Sequence, residues 1–233
     1  MKKIFYLALA VLCIGMVATS CKKHNKEDDQ KTAIEDLGGG YYKVNGYRFV
    51  DLGLPSGLLW AENNVGASSA TAEGSYFAWG ETVAKSSFTA DNYKFGKGES
   101  SYTKYSSKDG KQVLDAEDDA ATVALKAPCR TPLKAEFQEL LNTEYTTCTW
   151  TTKGSVNGLE VKSKKNGNSI FLPAYKYSGK NGDYWAADIY ANIPIDYDLA
   201  SSYSFTEAAG INAQGSQMRY NGNAVRPVAS NLK

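Results

Sequence analysis

Cys129-Arg-Thr-Pro-Leu-Lys-Ala-Glu-Phe-Gln-Glu-Leu-Leu141 is the stretch whose reading decides the fold. Leu133, Phe137, Leu140 and Leu141 recur at i, i+4, i+7 and i+8, which places them on one face of a helix. Lys134, Glu136, Gln138 and Glu139 take the other face. Thr131 has an oxygen that can cap the first turn, and Pro132 suits the first helical position, where its missing N–H would be unpaired anyway. So short a helix cannot hide its apolar stripe alone. Strands from the rest of the chain must supply the other half of the core.

Those strands are legible on both sides of the helix. Asn45-Gly46, between Tyr41-Tyr-Lys-Val44 and Tyr47-Arg-Phe-Val50, predicts a hairpin closed by a type I′ turn. Val161, Ile170-Phe-Leu172, Tyr184-Trp185, Tyr203-x-Phe205 and Val225-x-x-Val228, bounded by Gly, Asn and Pro, predict further short strands. A second short helix is expected over Ala116 to Leu125. Asp118 and Asp119 fall near its N-terminus, where negative charge is favourable, so capping is preferred to catalysis for this acidic pair.

Composition narrows the function classes. The 233 residues are 42% hydrophobic and 22% charged, with 26 basic and 25 acidic side chains, which gives no bulk electrostatic case for nucleic acid. The one His is His24, outside the expected domain, so neither a Ser-His-Asp set nor a Cys-His pair can form there. Paired carboxylates such as Asp196 and Asp198 exist, but linear spacing cannot place two of them across a scissile bond. Asp183, Asp188, Asp196 and Asp198 could contribute to a calcium site, yet no ordered ligand loop is visible. No catalytic set coheres and no cofactor is implied. The expectation is therefore not an enzyme. The 16 Tyr, on a Gly-, Ser- and Asn-rich background, fit an adaptable binding surface, and they equally fit half-buried strands.

Residues 1–20 read as an export signal. Lys2-Lys3 precede the apolar run Ile4 to Val17, which is too short for a comfortable membrane span. Ala18-Thr19-Ser20 then lead to Cys21, an arrangement that resembles a lipoprotein signal as well as an ordinary secretory one. Lipid on Cys21 would anchor the chain to an outer membrane. Residues 21–40, charged and ending in three glycines, read as a flexible tether. Glu27-Asp28-Asp29 resembles an acidic signal that sends some lipoproteins to the cell surface; a merely solvated tether fits it too.

Several segments carry a family resemblance. They are Val50 to Ala67, Gly74 to Thr82, Leu114 to Ala121, Arg130 to Leu141, Cys148-Thr-Trp150, Asn166 to Ala174, Tyr184-Trp185, and Arg219-x-x-Gly222-x-x-Val225-Arg-Pro-Val228. In this order they resemble the Fibrobacter succinogenes major paralogous domain, across most of residues 41–230. The resemblance implies an α+β, C-type-lectin-like domain: a twisted antiparallel sheet, two or three short helices and long irregular loops. It also marks departures. Relatives usually carry Trp at 129, often Cys at 63 and usually Thr at 133. Cys129 and Cys148 are therefore expected either to form a disulfide or to stay as buried thiols.

By the same resemblance, Arg219, Gly222, Val225, Arg226 and Pro227 are framework, and Trp185, Tyr203 and Phe205 are core. Asp188, Tyr190, Asn192, Tyr197, Ser202, Gln217, Tyr220, Asn221 and Asn223 lie between them and answer to no packing pattern. They are the candidate face for an extracellular glycan or protein, with an inert loop region as the other reading. The functional expectation is a non-catalytic envelope lipoprotein serving ligand binding or adhesion. The alternatives are a structural component of the outer surface, such as an appendage subunit, and, behind it, a glycan-processing enzyme.

Overall fold

Asn45 and Gly46 both adopt positive φ, 49° and 91°, as a type I′ turn requires. They join β2 (Tyr41–Val44) to β3 (Tyr47–Asp51), with β1 (Ile34–Gly38) on the outer side of β2 and β4 (Leu59–Ala61) next to β3. The structure is a computed structural model that describes residues 34–98, 101–176, 178–190, 198–208 and 210–230, with the backbone alone for 210–214. The folded part starts before residue 41. Ile34 packs against core, so residues 34–40 belong to the sheet rather than to the tether expected there.

The chain then runs through α1 (Ala120–Leu125), β5 (Cys129–Arg130) and α2 (Lys134–Leu140). It continues into β6 (Thr146–Lys153), β7 (Val156–Ser163), β8 (Ser169–Pro173), β9 (Asn181–Ile189), β10 (Leu199–Thr206), β11 (Gly210–Met218) and β12 (Val228–Ala229). Three antiparallel sheets result, in the orders β1-β2-β3-β4-β12-β5, β6-β7-β8 and β11-β10-β9. One of the sheets is curled into a half-barrel, and strand accounts for 38% against 10% helix. The expected α+β, C-type-lectin-like architecture is thereby overturned: the fold is mostly β. The physical reason is length. The two helical patterns yield six and seven residues of α-helix, whereas the Thr-, Val- and Tyr-rich runs after them extend into strands of eight and nine.

Strand alternation divides the core in two. Phe49, Leu59, Ala61 and Ala229 point to one side of the six-stranded sheet; their neighbours Val50, Trp60 and Val228 point to the other. The first side is filled by α1 and by aromatic loop residues, among them Trp79, Tyr93, Phe95, Tyr102 and Tyr105. The second takes Phe137 and Leu140 of α2 with the inner faces of β7 to β10. Phe137 stacks on Tyr203 at 4.1 Å and meets Trp60 edge-on at 5.2 Å.

The helix caps are distributed differently from the sequence reading. Asp119 caps α1, accepting from Ala121 N at 2.9 Å. Thr131 does not cap α2. It is buried, and its hydroxyl donates to Asp119 Oδ1 at 2.6 Å. Pro132 stays outside that helix, which begins at Lys134. Asp188 supplies the acceptor instead, taking Lys134 N at 2.5 Å, while Glu136 accepts from Leu133 N at 2.7 Å.

Candidate functional site

The expected face between residues 184 and 223 is largely committed to the framework. Ser202 and Asn223 are buried. Asn223 accepts from Lys176 Nζ at 2.6 Å through Oδ1, and its backbone exchanges hydrogen bonds with Phe77. Asp188 is consumed by α2, and burial pushes its carboxyl up against the pull of that N–H bond. Asn192 and Tyr197 lie outside the described residues.

The four that remain, Tyr190, Gln217, Tyr220 and Asn221, are half-buried and do not share one face. Gln217 stands opposite Ala200, which stands opposite Ile189, and both of those point into the first core. Tyr220 packs against that same core, and Asn221 donates to Gln217 Oε1 at 3.0 Å. Tyr190 follows Ile189 and carries the Lys134 ammonium over its ring at 5.1 Å, on the α2 side.

Two buried arginines hold this segment. Arg226 is fully buried among neutral acceptors: Nε donates to Asn64 Oδ1 at 2.8 Å, Nη1 to Ala61 O at 2.9 Å, and Nη2 to Phe171 O at 2.8 Å. Burial lowers its pKa, but an arginine keeps its proton in proteins, so the carbonyls must carry the charge. Arg219 donates to Tyr105 O at 2.8 Å and lies over the Tyr102 ring at 4.4 Å, while the Tyr102 hydroxyl donates to Asp198.

Among the described residues, the carboxylates named for calcium are already engaged, Asp188 by α2 as above. Asp183 is paired with Lys176 at 2.9 Å, Asp196 lies outside the described residues, and Asp198 serves Tyr102. Asp115, Glu117 and Asp118 do converge, with oxygens within 4.8 Å of one another. The Lys104 ammonium fills that space, at 2.6, 2.8 and 2.5 Å from the three. Cys129 and Cys148 are free thiols, one in the first core and the other against the second, so the expected bridge is not made. The six-stranded sheet separates them, and burial pushes the Cys129 thiol up to about 12.

What offers spare polar groups is a cleft of about 450 Å³ between the β2–β3 hairpin, the 63–68 segment and α1. Its floor is Ala61, Val65, Leu125 and Pro227, and its walls carry Tyr47, Arg48, Asn63 and Ser68. The hairpin is pinned over α1 because Asn45 Nδ2 donates to Leu125 O and Ala127 O, both at 3.0 Å. The opposite wall is fixed by Val65 N, which donates to Val225 O at 2.9 Å. Gly66 lets that wall fold tightly: at φ 77°, a Cβ there would lie 2.4 Å from Ser75 Oγ.

The chemistry of the cleft is mixed. Tyr47 is 48% exposed, although Phe49, the next residue on its side of β3, is fully buried. Arg48 engages Glu62 through Nε at 3.0 Å, and its guanidinium lies 5.4 Å from the Tyr41 ring. Asn64 is spent on Arg226 and on Glu73 O, but the buried Oδ1 of Asn63 has no partner among the described residues. An orphaned buried acceptor costs about 1–3 kcal/mol. Sequence reading passed over Tyr47 and Asn63; the one available signal was an aromatic placed directly after the hairpin turn. No protein family, no curated protein and no solved structure matches the chain.

Proposed function

We propose that this chain is a non-catalytic, lipid-anchored envelope protein whose folded part binds a glycan in the cleft beside Tyr47. The observation that carries the reading is an open cleft with an apolar floor and an exposed tyrosine, lined also by Asn63, whose carbonyl oxygen is buried without a partner among the described residues. A pyranose has the matching chemistry: its C–H face covers Tyr47 and the aliphatic floor, its hydroxyls accept from Arg48 or Ser68, and one donates to Asn63 Oδ1 once that amide turns out of its buried position. The volume falls in the range of small-ligand sites, about 300–1,000 Å³. The resemblance of residues 41–230 to a domain family common in envelope lipoproteins supports the setting, as does the leader ending at Cys21. Residues 1–33 lie outside the described part, and among the described residues no helix is long and apolar enough to cross a membrane.

The test is a glycan array and a whole-cell binding screen with the full chain. Saturable binding that falls at least tenfold in both Tyr47→Ala and Asn63→Ala supports the reading. Binding that is indifferent to both substitutions removes it.

A further inference from the structure

We propose that β6 is a self-association edge, through which two copies of this chain pair antiparallel about Trp150. The geometry begins with the neighbouring strand. Ala174 N donates to Asn157 O at 2.8 Å and Ser163 N donates to Asn168 O at 2.8 Å, so the odd-numbered residues of β7 turn their backbone groups toward β8. The even-numbered ones therefore turn toward β6. Their partners there are Thr147, Thr149, Thr151 and Lys153. The residues between them, Cys148, Trp150 and Thr152, must turn N–H and C=O outward, and β6 has no strand on that side among the described residues.

Other edges are guarded. β1 carries Glu35 and Asp36 with a register irregularity, and β5 is two residues long. The Phe171 carbonyl of β8 is taken by Arg226, and the outer groups of β9 bond Pro132, Gln112 and Ala224. β11 is interrupted by a register shift opposite Ser202 to Ser204. β6 alone combines eight regular residues with no ionisable carboxylate or ammonium from Thr146 to Thr152, which is the profile of a strand that adds to another.

The occupant that fits is a second β6. Outward-facing residues must meet outward-facing residues, a condition that a two-fold axis on Trp150 meets by pairing Trp150 with itself and Cys148 with Thr152. On the solvent face, Thr149 then stands opposite Thr151 and Thr147 opposite Lys153. No like charges meet, because Lys153 is already bonded to Glu160 at 2.8 Å and the two copies of Lys153 lie at opposite ends. Thr–Thr and aromatic cross-strand pairs are favourable in such ladders.

The experiment is sedimentation equilibrium of the full chain in density-matched detergent, so that only protein mass is read. The wild type is expected at twice the chain mass. Thr149→Lys with Thr151→Lys puts ammonium groups opposite each other without touching the bonds to β7, and should give the single-chain mass with an unchanged circular-dichroism spectrum. Thr149→Lys with Thr151→Glu restores opposite charges across the axis and should return to twice the mass. A wild type at single-chain mass at all concentrations would overturn the proposal, and so would a double-lysine variant that stays paired.

Discussion

Two regions rich in polar side chains behave in opposite ways. Between residues 184 and 223, Asp188 is spent on a helix end and the Asn223 carbonyl on the half-buried Lys176. In the cleft beside the β2–β3 hairpin, Tyr47 stays exposed and Asn63 keeps a buried acceptor unmatched. The adjacent pair Asn63 and Asn64 shows the contrast within one dipeptide, since Asn64 is bonded on both ends of its amide. An unmatched group does not mark function by itself, since Ser202 Oγ and Asn223 Nδ2 are also buried without a partner among the described residues; what sets Asn63 apart is the open cleft that it lines.

The largest effect should come from the framework side of this comparison. Arg226→Ala strands several buried acceptors, each worth about 1–3 kcal/mol when left unmade, so a loss of at least about 4 kcal/mol is expected. Chemical denaturation reads it directly; a variant within about 1 kcal/mol of wild type would show that the carbonyls find other donors.

Next comes Asp118, buried and held by Lys94, Lys104 and Tyr105. Burial raises its pKa, but those partners outweigh it and hold the carboxyl below its ordinary 3.8. A depressed carboxylate contributes fully above the unfolded value and loses that contribution as pH falls through the folded one. Asp118→Asn should thus cost about 2 kcal/mol at neutral pH, with the difference from wild type shrinking below about pH 4 in acid-unfolding curves. A constant difference down to pH 2 would remove Asp118 from the acid response.

The thiols give a chemical rather than energetic readout. With its pKa up at about 12, Cys129 should resist alkylation in the folded protein at pH 8, and both Cys129 and Cys148 should label after unfolding without reductant. Mass spectrometry that finds both unlabelled until reduction would restore the bridge. Smallest of all is Ser202→Ala. Its buried hydroxyl has no partner among the described residues, so stability should change by less than about 0.5 kcal/mol or rise slightly. Thermal unfolding checks it, and a large drop would reveal a bond to a residue outside the described set.

Local signals were the legible part of this fold. Asn45-Gly46 predicted its hairpin because only that turn suits two positive φ values. Val161, Ile170 to Leu172, Tyr184-Trp185 and Tyr203 to Phe205 all lie in strands. The periodicity of Leu133, Phe137, Leu140 and Leu141 located α2, of which Phe137 and Leu140 are fully buried. Non-local decisions were not legible. Asp188 caps a helix 54 residues away, and Thr131 turns inward to Asp119, choices that no spacing encodes. The balance of strand over helix depended on how far each run extended against its neighbours. The cleft was invisible for the same reason, since its walls come from residues 47, 63–68 and 124–125.

The central claim, that the ligand-facing groups sit beside Tyr47 and not at the C-terminal segment, has one direct test. Binding of the full chain to glycan-displaying cells or arrays should be measured in parallel for Tyr47→Ala, Asn63→Ala, Gln217→Ala and Asn221→Ala, with each variant's melting temperature checked. The account predicts at least tenfold loss in the first two and unchanged binding in the last two. Loss confined to Gln217→Ala and Asn221→Ala would contradict it and return the binding face to the C-terminal segment.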